Sequence, residues 1–204
     1  MAIATSTVRL QPHQIKESGQ VLGRAFFDDP LTNYWLPDPE HRTKALPWFM
    51  TLATKYGNRY GEVETTAGGV EGAGIWLKPG ATHIPPLQMM RVGLYAAPFK
   101  LGLGNFMRFM KSLDFIEKIH KEQAPEDHWY LMILGVDPPR QGQGIGSAIM
   151  QPALAKADAA HLPAYLETQK EINVKLYRKH GFDVVVETDL PDGPHIWCMK
   201  RPVR

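Results

Sequence analysis

Two periods alternate along the 204 residues of this chain. Apolar positions recur every second residue in some stretches and at helical spacing in others, which predicts a mixed α/β fold. Residues 7–10 alternate as a short strand does. Pro12 opens a helix reaching about residue 27, with Ile15, Leu22 and Ala25 on its buried side. Asp28-Asp29-Pro30 ends it, because proline drives the residue before it out of helical geometry. Helical spacing returns over residues 40–56, with Pro47 a kink or restart point. Residues 62–66 and 69–77 flank a Thr-Ala-Gly-Gly connection and read as a β-hairpin, closed by Lys78-Pro79-Gly80.

Residues 81–127 are the least regular part. Their helical spacing is clearest over 105–120, and they read as two helices joined near Pro98 that fold over one end of the sheet. Their Met and Phe stripe is either core or an adaptable ligand wall. Residues 129–136 are nearly all apolar, as in a central strand buried on both faces. A helix over 144–161 follows, and Pro152 inside it predicts a kink or widened turn near Ala148. Then come a strand over 164–168, a short helix over 171–180 stopped by Gly181, and a strand pair over 182–190 and 196–201. No repeat or linker divides the chain, so one domain over 1–204 is expected, with 81–127 as a helical insertion.

Composition removes several function classes. Apolar content of 44% and charged content of 22% are ordinary for a globular protein, and a formal net charge of +2 gives no argument for nucleic acid. Cys198 is the sole cysteine, which excludes an intrachain disulfide and a CxxC metal site and points to a reducing, cytoplasmic setting. Met1-Ala-Ile-Ala-Thr5 lacks the flank and apolar core of a signal peptide, and no window approaches a membrane span. His120 and His195 have no partner at metal-ligand spacing, so no metal is expected.

The stretch Leu134-Gly-Val-Asp-Pro-Pro-Arg-Gln-Gly-Gln-Gly-Ile-Gly-Ser147 carries the chemistry. It ends an apolar strand and brings Gly142, Gly144 and Gly146 to the start of a helix. Small residues leave the amides bare, and a helix N-terminus adds roughly half a positive charge, which suits a phosphorylated ligand. A Walker A loop is excluded, since no Gly-Lys-Ser/Thr follows. A dinucleotide turn fits poorly: Ser147 stands where its third glycine belongs, and Asp137 to Gln141 separate strand from glycines. A glycine-rich turn without a ligand is the remaining structural alternative.

Gln141-x-x-Gly144-x-Gly146 resembles the acyl-coenzyme A pyrophosphate loop of the GNAT superfamily of N-acetyltransferases. Asn173-x-x-Leu176-Tyr177 leading to Gly181-Phe182 resembles that superfamily's second conserved element. The C-terminal third is also similar to the puromycin N-acetyltransferases, through Val136-x-Pro138-x-x-Gln141, Leu166-Glu167-Thr168 and Gly193-Pro194-x-x-Trp197-Cys198-Met199. The N-terminal half matches only loosely. The resemblance implies a single GNAT-type domain with a twisted, mostly antiparallel sheet, a splayed central strand pair and helices on both faces. It implies acetyl-CoA as co-substrate, with Leu134, Gly135 and Val136 along the pantetheine arm. Gln141, Gly142, Gln143, Gly144, Ile145, Gly146 and Ser147 would then hold the pyrophosphate, and Asn173 and Tyr177 would border the coenzyme.

Amide formation from a thioester needs a neutral amine, a polarised carbonyl and a protonated leaving thiolate. The resemblance implies direct attack in a ternary complex, with Tyr177 as general acid and an amide near Val136 polarising the carbonyl. Strand 129–136 lacks the glutamate base that many members carry there. Glu167 on the next strand is the substitute, directly or through water, with a structural role equally open. Asp28, Asp29, Glu126, Asp127 and His128 are weaker candidates. Arg140, Lys175, Arg178 and Lys179 are candidates for the coenzyme phosphates, and Cys198 has no partners for a nucleophilic role. The expected partners are acetyl-CoA and an amine acceptor, without nucleic acid or membrane, in a monomer or homodimer. A small-molecule amine is favoured; a protein lysine or N-terminus, a non-catalytic acyl-CoA sensor and a nicotinamide oxidoreductase are the alternatives.

Overall fold

The computed structural model describes residues 5–204; the signal-peptide reading of Met1 to Ala4 lies outside them. Among the described residues seven strands form one sheet: β1 (Thr7–Arg9), β2 (Glu62–Thr66), β3 (Gly72–Leu77), β4 (Trp129–Val136), β5 (Ala164–Thr168), β6 (Asp183–Asp189) and β7 (His195–Arg201). Their spatial order is β1-β2-β3-β4-β5-β7-β6, and every neighbouring pair is antiparallel except β4–β5. Eight α-helices accompany it among the described residues: α1 (Ile15–Ala25), α2 (Pro30–Trp35), α3 (Pro39–Tyr60), α4 (Pro86–Val92), α5 (Ala97–Leu101), α6 (Leu103–Gln123), α7 (Ile145–Ala159) and α8 (Glu171–Lys179).

The helices divide between the two faces of the sheet. On one face α1 and α3 bury Leu22, Phe49 and Met50 against Val63, Ala73 and Ile75. On the other, α7 and α8 bury Met150, Leu154 and Tyr177 against Trp76, Leu131 and Leu166. Helix α6 extends the first layer sideways: Phe115, Ile116 and Ile119 pack on Tyr165, Ile196 and Cys198. The parallel β4–β5 pair follows from α7, since a helical crossover returns the chain in the same direction. No described helix is long and apolar enough to cross a membrane.

Several elements differ from the sequence expectation. Residues 30–35 form α2: the Asp29 carboxylate accepts from the Leu31 and Thr32 amides at 3.0 and 3.4 Å, and Pro30 occupies the first turn. Asp38 caps α3 in the same way, and α3 then runs unbroken through Pro47. The proline ring faces α1, where a Cβ on Gly23 would lie 2.9 Å from it. Helix α7 likewise runs on through Pro152. The 81–127 segment holds three α-helices, and the break before the long one is Gly102, at φ 80°, rather than Pro98. The hairpin's second strand starts at Gly72 because Thr66 ties down the turn, bonding Gly69 and Glu71.

Gly135 owes its identity to packing. A Cβ there would lie 2.8 Å from Leu22, 2.9 Å from Phe26 and 3.0 Å from Ala25, so only glycine lets α1 lie on β4. Gly135→Ala is expected to destabilise by about 1–3 kcal/mol, as overpacked cores do, measured as a lower urea midpoint at unchanged slope.

Candidate active site

The sheet opens in its middle. β4 pairs with β5 only at Trp129↔Ala164, Tyr130↔Tyr165 and Leu131↔Leu166, after which the strands part. On its other side β4 stays paired with β3 to Val136, with a register shift that leaves Met132 as one extra residue. Such a bulge bends its strand and increases the local twist. β4 is therefore not buried on both faces as expected: Met132, Ile133, Leu134 and Val136 are all partly exposed along the gap. Gly135 pairs with Ala73, and the Asp137 amide donates to the Glu71 carbonyl at 2.8 Å. Since successive strand residues send their backbone groups to opposite edges, those of Leu134 and Val136 face the gap.

At the end of the gap the chain turns through residues 137–144 into α7. Gly142 and Gly144 have φ of 75° and 81°, the left-handed region where a side chain is strained. Gly144 starts the helix without a side-chain cap, and no acidic residue occupies the first turn. The Ala148 amide reaches the Gly144 carbonyl at 3.0 Å, which leaves the amides of Ile145, Gly146 and Ser147 without acceptors among the described residues. A Cβ on Gly142 or Gly144 would meet nothing within 4 Å, and one on Gly146 only Val136 and Leu134 at 3.7 and 3.9 Å. The turn is thus a row of donors without acceptors among the described residues, at a positive helix end. The Gln141 side chain stabilises it by donating to the Val136 carbonyl at 3.0 Å. Gln143 is exposed. The Ser147 hydroxyl is drawn to His180, 3.0 Å away.

A cavity of about 700 Å³ extends from the gap under α3 to α6. Glu167, Asp29, Asn173 and Tyr177 all line it. Glu167 Oε2 accepts from the Tyr130 hydroxyl at 2.9 Å, while Oε1 is buried without a partner. Burial pushes this carboxyl up to about 8, opposed by the Tyr130 hydrogen bond. Burial, then the Glu167 charge, raise Tyr130 well above the usual phenol range, so it remains the donor. Tyr177 is raised too, first by burial and then by the Asp29 carboxylate. Asp29 is itself raised by burial, against the pull of Lys170 and the two amides it caps. Asn173 Nδ2 donates to Thr168 Oγ1 at 3.1 Å, which fixes it beside the gap.

The structure thus joins Glu167, Tyr177 and Asn173 to one cavity. Asp29, among the weaker candidates, joins them because it caps α2; the Asp-Pro pair before an aromatic run was the available signal. Tyr130 was missed, since its importance lies in a cross-strand contact. The other candidate bases lie elsewhere. Asp28 is exposed, as are Glu126 and Asp127, and Glu126 pairs with Lys200. His128 is buried against His120, their Nε2 atoms 2.7 Å apart, and its Nδ1 meets the Glu126 carbonyl at 2.6 Å. Burial lowers both histidines, His120 to about 3, so the pair is neutral near pH 7. Arg140 bonds Glu71 at 2.6 Å, and Lys175, Arg178 and Lys179 are exposed on α8. Cys198 is buried, and that burial pushes its thiol up to about 12, unsuited to a nucleophile. Among the described residues no three His, Cys, Asp or Glu side chains are grouped to hold a metal.

Known proteins are similar to this chain in sequence and in fold. Residues 109–182 match the sequence model of the acetyltransferase (GNAT) family. The chain is 28% identical to an uncharacterised N-acetyltransferase of Schizosaccharomyces pombe, across 85% of this chain and 72% of that one. A Corynebacterium glutamicum protein described as histone acetyltransferase HPA2 and related acetyltransferase has the same fold, with a TM-score of 0.70, 21% identity and coverage of 99% and 98%. Arylalkylamine N-acetyltransferase 2 of Aedes aegypti superposes with a TM-score of 0.68 at 12% identity, over 99% of this chain and all of that one.

Proposed function

We propose that this chain is an acetyltransferase of the GNAT type, which moves an acetyl group from acetyl-CoA to the primary amine of a small molecule. The observation that carries the reading is the row of unpaired amides at Ile145, Gly146 and Ser147, placed where the β4–β5 gap ends. A diphosphate fits those donors, and an extended pantetheine arm fits the backbone edge that faces the gap at Leu134 and at the Val136 amide, the Val136 carbonyl being taken by Gln141. Gln141, Gly142, Gln143 and Gly144 would complete the phosphate turn, with Asn173 bordering the arm. Gly135 contributes by keeping α1 close behind the strand. The coenzyme supplies the activated acetyl thioester.

The protein's own groups handle the protons. Glu167 accepts a proton from the incoming ammonium, directly or through water, and Oε1 is the free atom for it. The Val136 amide polarises the thioester carbonyl in this reading. Tyr177 gives its proton to the departing sulfur as the amide bond forms and the carbon–sulfur bond breaks, and the second proton lost by the amine nitrogen restores the Tyr177 hydroxyl. The insertion over 81–127 roofs the acceptor side. A cytoplasmic setting belongs to this reading, on the single buried thiol of Cys198.

The test is release of coenzyme A thiol from acetyl-CoA across an amine panel, including puromycin because of the C-terminal resemblance. Gly146→Val supplies the control. Its Cβ has room, so stability is expected to hold within about 1 kcal/mol, while the branched side chain covers the neighbouring amides. Acetyl-CoA affinity by calorimetry should fall at least about tenfold, the loss of roughly one charge-assisted hydrogen bond. Unaltered affinity would overturn the phosphate assignment. A protein amine is the second reading, and peptide substrates in the same assay decide between them.

A further inference from the structure

Resting on the acetyl-transfer reading, we propose that the acceptor is a bulky hydrophobic amine, selected by size and apolarity rather than by a fixed outline. The cavity of about 700 Å³ includes the gap, and beyond it continues between apolar side chains of α3, α4 and α6. Its two sides differ in stiffness. Trp35, Phe49 and Phe109 form an edge-to-face cluster with centroids 4.9 to 5.7 Å apart, and Trp35 Nε1 is anchored to Ser112 Oγ at 3.1 Å. That side is rigid. The other walls carry Met50, Met89, Met90, Met110 and Met132, five of the chain's nine methionines. Unbranched thioether side chains repack around different shapes at small penalty, so this wall adapts.

Charge gives the ligand its polarity. Among the described residues four acidic side chains line the cavity, Asp29, Asp114, Glu117 and Glu167, against one ammonium, Lys121, which pairs with Glu117 at 3.2 Å. Burial keeps Glu167 protonated below about 8. A cationic head is attracted, and Glu167 with its unpartnered Oε1 marks the end where the amine is deprotonated. Tyr56 at the apolar side already spends its hydroxyl on Gln88, at 2.8 Å. A polycation such as spermidine, or a sugar amine, would strip water from several polar groups there and find few partners.

The experiment compares kcat/KM for butylamine, hexylamine, octylamine and 2-phenylethylamine with spermidine and kanamycin, all with acetyl-CoA. Each added methylene is expected to raise kcat/KM about threefold, mainly through KM, as burial of apolar surface does. Ala53→Phe fills the cavity and should reduce the octylamine-to-butylamine ratio at least tenfold. Thermal shift of the wild-type protein by octylamine without coenzyme reads the pocket independently of turnover. Turnover that favours spermidine or kanamycin, or that ignores chain length, overturns this inference and leaves acetyl transfer standing. Octylamine binding with no thiol release from any amine overturns acetyl transfer and leaves the apolar pocket.

Discussion

Replacing Glu167 with glutamine is expected to lower kcat/KM for the amine by about 10²- to 10³-fold, within the usual range for a general base. The pH profile gives the sharper test. A base works when unprotonated, and this carboxyl is held up to about 8 by burial, so the wild-type rate should climb as pH rises through about 8. Glu167→Gln loses that limb and keeps only the slope from the amine's own ionisation. The same group acts on stability with a definite sign. Between its ordinary value in the unfolded chain and about 8 in the fold, the folded protein holds a proton that the unfolded chain has released. Stability therefore falls as pH rises through that window. Glutamine removes the penalty, so the variant should gain melting temperature relative to wild type at pH 9 and not at pH 4. An equal difference at both pH values would show that Glu167 remains an ordinary carboxylate.

Tyr177→Phe is expected to lower kcat by about 10²-fold or more while KM for the amine moves little, since a proton donor to the leaving group matters in the transition state. Burial and the Asp29 charge keep this hydroxyl protonated across the working range, as an acid requires. Loss of the acid should thus lower the whole profile without moving the limb near pH 8. Phenylalanine fills the same space against Phe182, 6.0 Å between ring centroids, so folding is preserved. A variant with full turnover at every pH would leave Tyr177 as a packing residue and assign the proton to water.

The sequence shows its loop and its strands more plainly than its cavity. Gly142, Gly144 and Gly146 before an apolar helix are legible because backbone geometry and bare amides demand small residues at fixed spacing. Glu167 on β5 and Tyr177 in α8 were singled out by the resemblance, and the fold brings both to one cavity. What escaped is tertiary. The bulge at Met132 leaves no mark in a uniformly apolar run, and the parting of β4 from β5 depends on both strands at once. Tyr130 matters because it lies opposite Tyr165 in the parallel pair and reaches Glu167. Pro47 and Pro152 both sit inside helices that continue past them, so the lost backbone hydrogen bond ends neither. The 81–127 segment broke at Gly102, whose positive φ ends one helix and starts the next.

The central claim is that the amides starting α7 grip the diphosphate of acetyl-CoA. An amide-resolved NMR titration of the labelled protein with acetyl-CoA tests it most directly. The expected result is large, saturable downfield shifts at Ile145, Gly146 and Ser147, with smaller ones at Leu134 and Val136. Saturating acetyl-CoA that leaves the Ile145 to Ser147 amides unmoved would contradict the account.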